Sequence, residues 1–232
     1  MEGRLALTIS SDELEKNTGF KMNPNDVKKH FSEPQYNWAP SCFVPVLTNL
    51  QSDKIRFLRW GLIPSWSNSS KNTKGLASIS LKSFKDKPVL QKAIQNKRCI
   101  TFANGFFLWK DSPAGKIPYF VRLKSKAVFG IAGLWESWEE EENAINTSCI
   151  ITQKPEGSLA YFPSEIPLVV KREELAKWLA TEKSDILTEN YFVPEAEFEY
   201  YPVSRKIIKS LENDPKFIQM ISYLVAEQTK LF

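Results

Sequence analysis

The chain has 232 residues, 42% apolar and 25% charged, and a formal net charge of +4, the ordinary balance of a globular protein with room for a substantial core. No stretch approaches the ~18 apolar residues of a membrane-spanning helix, so no membrane partner is expected. Cys42, Cys99 and Cys149 lie far apart and His30 stands alone, a pattern that points to neither a disulfide scaffold nor a metal site. Residues Met1 to Leu7 carry Glu2 and Arg4 and no long apolar run. No signal peptide is therefore expected, and the expected setting is reducing and cytoplasmic.

Ser10 with Glu13 forms a capping-box pattern and predicts a helix to about Asn17. Asn23 to Gln51, rich in Pro and Asn, reads as loop leading into a short strand, Phe43 to Leu47. Lys54 to Trp60 alternates like a strand and runs into Gly61-Leu62-Ile63-Pro64, where Pro64 keeps Ile63 extended. Pro88 predicts the first turn of a helix to about Lys97, followed by a strand from Cys99 to Phe102 and an Asn104-Gly105 turn. Ile117 to Leu123 and Ala127 to Leu134 read as a hairpin, and the acidic run Glu139 to Glu142 as an exposed turn. Further strands are expected at Ser148 to Thr152 and Pro167 to Val170, and helices at Arg172 to Ala180 and Asp214 to Leu224. Without strict βαβ alternation the fold class is α+β, and with no linker or repeat the expectation is one domain over 1–232.

Residues that carry chemistry are scarce. A lone His30 leaves no second histidine for a Ser-His or Cys-His pair, and no phosphate-binding glycine loop is present, so no cofactor is expected. Charge is uneven: Lys71 to Arg98 holds eight basic residues against one acid, Asp86, so that window carries +7 and the remainder −3. It reads either as a phosphate-binding patch or as a solvated face.

Longer strings say more than composition. Met1-Glu2-Gly3-Arg4, Tyr36 to Pro40, Leu58-Arg59-Trp60-Gly61-Leu62-Ile63-Pro64-Ser65-Trp66, Asn104 to Lys110, Pro118-Tyr119-Phe120 and Ala132 to Glu136 stand in one order and spacing. Together they resemble the SRAP family, the SOS response-associated peptidases that process abasic sites in single-stranded DNA. The resemblance runs to about residue 220 and implies sheets wrapped into a pseudo-barrel with peripheral helices and one nucleic-acid groove.

The family begins Met-Cys-Gly-Arg, and its cysteine, once Met is removed, condenses with the abasic aldehyde to a thiazolidine. Here that position is Glu2, which has no thiol to close the ring. By the same resemblance the family's Asn falls at Ala77, its Arg at Ile79, the Glu of its Gly-Phe-Tyr-Glu-Trp string at Leu108, and its His at Pro163. The resemblance thus implies a site whose catalytic Cys, Asn, Glu and His positions hold Glu2, Ala77, Leu108 and Pro163, a pseudoenzyme.

Binding residues are better kept. The resemblance assigns groove contacts to Arg4, Pro40 and Trp66, with Trp66 reading equally well as core. By the resemblance two basic positions of the family are lost at Ile79 and Gln91, and Lys82, Lys85 and Lys87 are expected to make up that charge. Three readings stay open: a non-crosslinking single-stranded DNA binder, a protein- or peptide-binding module using the old groove, or residual Schiff-base chemistry through the Met1 amine.

Overall fold

A computed structural model of the chain describes residues 3–65, 67, 75–140, 143–180 and 191–222. Its centre is a closed five-stranded barrel. Strands β4 (Phe43–Thr48) and β5 (Gln51–Trp60) pair antiparallel, and β4 pairs with β7 (Arg98–Ala103). Next, β7 pairs with β10 (Phe129–Glu140), and β10 with β11 (Asn143–Gln153). The barrel closes where β11 meets β5 in parallel, Thr147 opposite Arg59 and Ser148 opposite Trp60. Beyond that junction β11 pairs instead with β6 (Ser78–Ser80), Ile150 opposite Ser78. Closure removes the exposed edges that an open sheet of this length would present.

A second sheet runs β14 (Phe198–Pro202), β9 (Ile117–Leu123), β8 (Gly105–Lys110), β1 (Leu5–Leu7), β3 (Gln35–Trp38). Its residues alternate between two apolar clusters. Phe106 and Leu108 join the main core, where Phe106 meets Phe129 of the barrel and Phe198, with ring centroids 6.4 and 5.9 Å away. Phe107 and Trp109 turn to a smaller cluster with Phe120, Tyr201 and Phe217. Both faces are thus covered, which is why this segment reads as a continuous apolar run. Gly105 is required by close approach: a Cβ there would lie 2.1 Å from the Phe120 ring.

Local signals hold where they are local. Helix α1 (Ser11–Thr18) opens on the Ser10–Glu13 capping box and ends at Gly19, whose φ of 80° is left-handed. Helix α4 (Pro88–Asn96) begins on Pro88 as expected. Among the described residues six of the seven tryptophans are buried; Trp66 lies outside them. His30 stacks on Phe43 at 4.3 Å rather than standing free on the surface.

Three expectations are corrected. The segment after Asn23 holds helix α2 (Pro24–His30) and strand β3, not loop; Asn23 caps the helix, and Lys28, Lys29 and His30 sit in its last turn. The predicted hairpin does not form. β9 pairs with β8 and β14 while β10 pairs with β7 and β11, so Lys124 to Lys126 is a crossover between sheets. The strand from Cys99 does end at a bend at Asn104, which passes the chain from β7 to β8 in the other sheet, its backbone amide donating to Ala6 O and its Oδ1 accepting from the Thr8 amide. Finally, Asp214 caps only a short 3₁₀ turn, Pro215–Ile218, so no long helix follows within the described residues.

Arg98, read above as part of a basic patch, is buried instead, with no exposure. Its Nε donates to Trp178 O at 2.5 Å and Nη1 to Ile94 O at 2.6 Å and Gln95 O at 3.1 Å, while Nη2 reaches Ala180 O. These carbonyls are the C-terminal ends of α4 and α5 (Leu175–Leu179), which lack intrahelical donors and carry partial negative charge. Arg98→Met, similar in reach but without donors, should cost at least about 3 kcal/mol in urea unfolding, because buried carbonyls lose partners at about 1–3 kcal/mol each.

Candidate nucleic-acid interface

Strand β1 positions Arg4. The Phe107 amide donates to Arg4 O at 3.1 Å, so Arg4 sits beside the β8 residue that precedes Leu108. Its guanidinium is half-buried, and its Nη1 has no hydrogen-bond partner among the described residues. Burial lowers its pKa from the usual guanidinium value, opposed by the nearby Cys42 thiol, yet it stays charged at any physiological pH. A buried, charged donor without an acceptor is costly unless a ligand supplies one.

Cys42 belongs to the same turn as Pro40. That turn is held by Cys42 N to Ala39 O at 3.1 Å and by two bonds to Trp60, Ser41 N to Trp60 O at 2.6 Å and Trp60 N to Cys42 O at 2.8 Å. Ser41 adopts φ of 83°, a left-handed conformation rare for serine and characteristic of constrained sites. Trp60 in turn donates from Nε1 to Ala77 O at 2.8 Å. The Pro40 turn, Trp60 and Ala77 are therefore linked by hydrogen bonds, and Cys42 of that turn lies near the Arg4 guanidinium.

From Ala77 the chain enters β6 and then the short helix α3 (Ser83–Asp86), anchored by buried Phe84. Lys82, Lys85 and Lys87 surround that anchor and are all exposed. Other members of the expected basic patch differ: Lys97 is tied to Glu136 at 3.2 Å and lies 4.4 Å from the Trp135 ring centroid. Lys71, Lys74, Glu2 and Trp66 lie outside the described residues. Between β6 and α4 is a pocket of about 300 Å³, lined by Leu76, Ile79, Val89 and Leu90 with Lys87 among its residues.

Three of the positions that the resemblance links to catalysis, Ala77, Leu108 and Pro163, lie among the described residues. Leu108 is fully buried in the main core, and Ala77 packs against that core. Leu108 pairs across the ladder with Tyr119, whose ring lies 5.2 Å from Phe162, the residue before exposed Pro163. The loop bearing Pro163 is fastened to β6 and β11 by Glu165, which accepts from Ser80 Oγ at 2.5 Å and Thr152 Oγ1 at 2.6 Å. Sequence reasoning missed this carboxylate, because its two partners lie 85 and 13 positions away. It also missed the ring cluster of Tyr119, Tyr161, Phe162 and Tyr200. Only the adjacent Tyr161-Phe162 pair beside Pro163 hints at that cluster.

A family model described as SOS response associated peptidase (SRAP) matches residues 1–210. The chain belongs to the SRAP family. Its curated relatives include the abasic site processing protein YoqW of Bacillus subtilis, 31% identical over 80% of this chain and 86% of YoqW. Another is the abasic site processing protein HMCES of Xenopus tropicalis, 25% identical over 95% of this chain and 78% of that protein. Among solved structures, a Bacteroides thetaiotaomicron protein superposes with a TM-score of 0.83 at 22% identity, over 94% of this chain and 99% of that one. A phage-related protein of Bordetella bronchiseptica superposes at 0.66 and 21% identity, over 87% and 93%. The expected α+β SRAP architecture is thus the observed one. Among the described residues no group of three His, Cys, Asp or Glu side chains is placed to hold a metal, and no helix is long and apolar enough to cross a membrane.

Thiol chemistry in this SRAP chain concentrates at one place. Cys99 and Cys149 are buried, and burial pushes the Cys149 thiol up to about 12 and the Cys99 thiol well above its ordinary value. Both stay protonated and inert near neutrality. Iodoacetamide on the native protein at pH 7.5 should therefore modify Cys42 alone among the three, and all three after denaturation, as read by peptide mass spectrometry.

Proposed function

We propose that this SRAP-family chain binds single-stranded DNA in the family groove and forms no crosslink at abasic sites. The observation that carries this reading is the half-buried Arg4 guanidinium, whose Nη1 has no hydrogen-bond partner among the described residues, together with a Leu108 sealed in apolar core. The first is a ready phosphate donor. The second offers no proton donor or acceptor where the family keeps its glutamate.

Each part has a physical role. Arg4 and the Pro40 turn fix the strand at the groove floor, and Lys82, Lys85 and Lys87 track its phosphates from the α3 side. Glu2, Ala77 and Pro163 complete the loss: no thiol to close a thiazolidine, no amide to orient the aldehyde, no imidazole to move protons. Apolar replacements at such positions also relieve the cost of burying unsatisfied polar groups.

Abasic single-stranded DNA incubated with the protein should give no band that survives denaturing electrophoresis without reductant; such a band overturns the reading. Trapping that depends on borohydride would instead assign Schiff-base chemistry to the Met1 amine. Glu2→Cys alone should crosslink only slowly, since Ala77, Leu108 and Pro163 still stand at the other positions.

Affinity for an intact single strand should fall with salt, with a slope of log K against log salt of roughly −1.4 to −2.1 for two or three phosphates. Lys85→Ala with Lys87→Ala should flatten that slope. Fluorescence anisotropy at several salt concentrations reads both, and no binding at low salt hands the groove to the peptide-binding reading.

A further inference from the structure

Lys110, Tyr119 and Tyr200 lie on the same face of the second sheet as Leu108. Leu108 and Lys110 are two apart on β8, Tyr119 is the ladder partner of Leu108, and Pro202 of β14, two beyond Tyr200, is the partner of Tyr119. That face is core at Phe106 and Leu108 and becomes surface at its far end. There, Tyr119, Phe162 and Tyr200 meet edge to face, with centroids 5.2, 6.0 and 5.1 Å apart. Tyr161 joins Phe162 at 5.5 Å and 88°. Phe162 is buried and serves as the footing, while Tyr161 and Tyr200 are 50% and 37% exposed. The Lys110 ammonium lies 3.2 Å from the Tyr161 ring centroid.

We propose that Tyr161 and Tyr200, footed on Phe162 and Tyr119, form a stacking ledge for bases of a single strand on the Leu108 face of the second sheet, beside Pro163, with Lys110 taking the adjoining phosphate. This rests on the single-strand binding proposed above and assigns it a second contact surface, apart from Arg4 and the α3 lysines. Exposed tyrosine rings packed edge to face are held rigid, so stacking on them costs little further ordering. Ring faces accept any base, which suits a strand read without sequence preference. An exposed cation–π pair is weak, so the ammonium exchanges a ring for a phosphate at small cost. The charge of Lys110 favours a polyanion over a neutral proline-rich peptide, the other common ligand of tyrosine ledges.

The test compares oligo(dT) binding to the wild type, to Tyr161→Ala/Tyr200→Ala, and to Tyr161→Phe/Tyr200→Phe, with thermal melts to show that each folds. The alanine pair should lose about tenfold or more in affinity with its salt slope unchanged, whereas the phenylalanine pair, which keeps both ring faces, should bind within about twofold of wild type. Photocrosslinking of 5-iodouracil-substituted oligonucleotide should label the peptides bearing Tyr161 or Tyr200. If the wild type binds but the alanine pair binds equally well and no label maps there, the ledge is overturned and single-strand binding stands. A wild type that binds no single strand at low salt overturns both. A polyproline peptide held more tightly than oligo(dT), and released by the alanine pair, overturns the nucleic-acid assignment of the ledge.

Discussion

A single buried cation organises one end of this barrel. Arg98 opens β7, and its guanidinium donates four hydrogen bonds to backbone carbonyls at the C-terminal ends of α4 and α5, with no carboxylate partner among the described residues. Moving a guanidinium out of water is expensive, and helix C-termini are among the few neutral surfaces with enough aligned carbonyl dipole to compensate. The arrangement works in both directions, since the same carbonyls would otherwise end inside the protein without donors. Trp178 tightens it further by donating from Nε1 to Cys99 O at 2.9 Å, one residue along β7. Two short helices far apart in sequence are thereby fixed against one barrel strand.

From that strand the positions of the site follow. β7 carries β4 on one side and β10 on the other, and the closure of β11 on β5 sets Trp60 beneath Ala77. The Pro40 turn hangs from Trp60, while Arg4 enters through the second sheet by way of the Phe107 amide. The residues of the proposed groove thus come from both sheets. Their relative placement depends on the main core shared between the sheets, in which Phe106, Phe129 and Phe198 meet.

Much of this was legible in the sequence where the signal is short-range. The capping box at Ser10, the proline start at Pro88 and the family strings around Trp60 and Leu108 each fix a few consecutive residues, and each appears as read. What failed was pairing. Ile117 to Leu123 and the strand after it have hairpin spacing, yet belong to different sheets, and nothing in the intervening Lys-Ser-Lys says so. Arg98 failed for the same reason, because its partners sit as much as 82 positions away and local charge counting places it with the exposed lysines. The α2 helix was a different error. Its cap, its proline and its basic last turn were all present, but the surrounding Pro and Asn content outweighed them.

The junction at which β11 changes partner carries one more consequence. Just before β6, Leu62 and Leu76 bridge each other, the amide of each donating to the carbonyl of the other at 2.9 Å. The bridge closes the loop from Leu62 to Leu76, within which Ile63 is fully buried and donates its amide to Thr147 Oγ1 at 3.1 Å, while Trp138 Nε1 donates to Ser67 O at 2.8 Å. The entropic cost of such an excursion grows only with the logarithm of its length. An insertion between the two leucines therefore costs little in closure entropy as long as buried Ile63 keeps its place against the barrel.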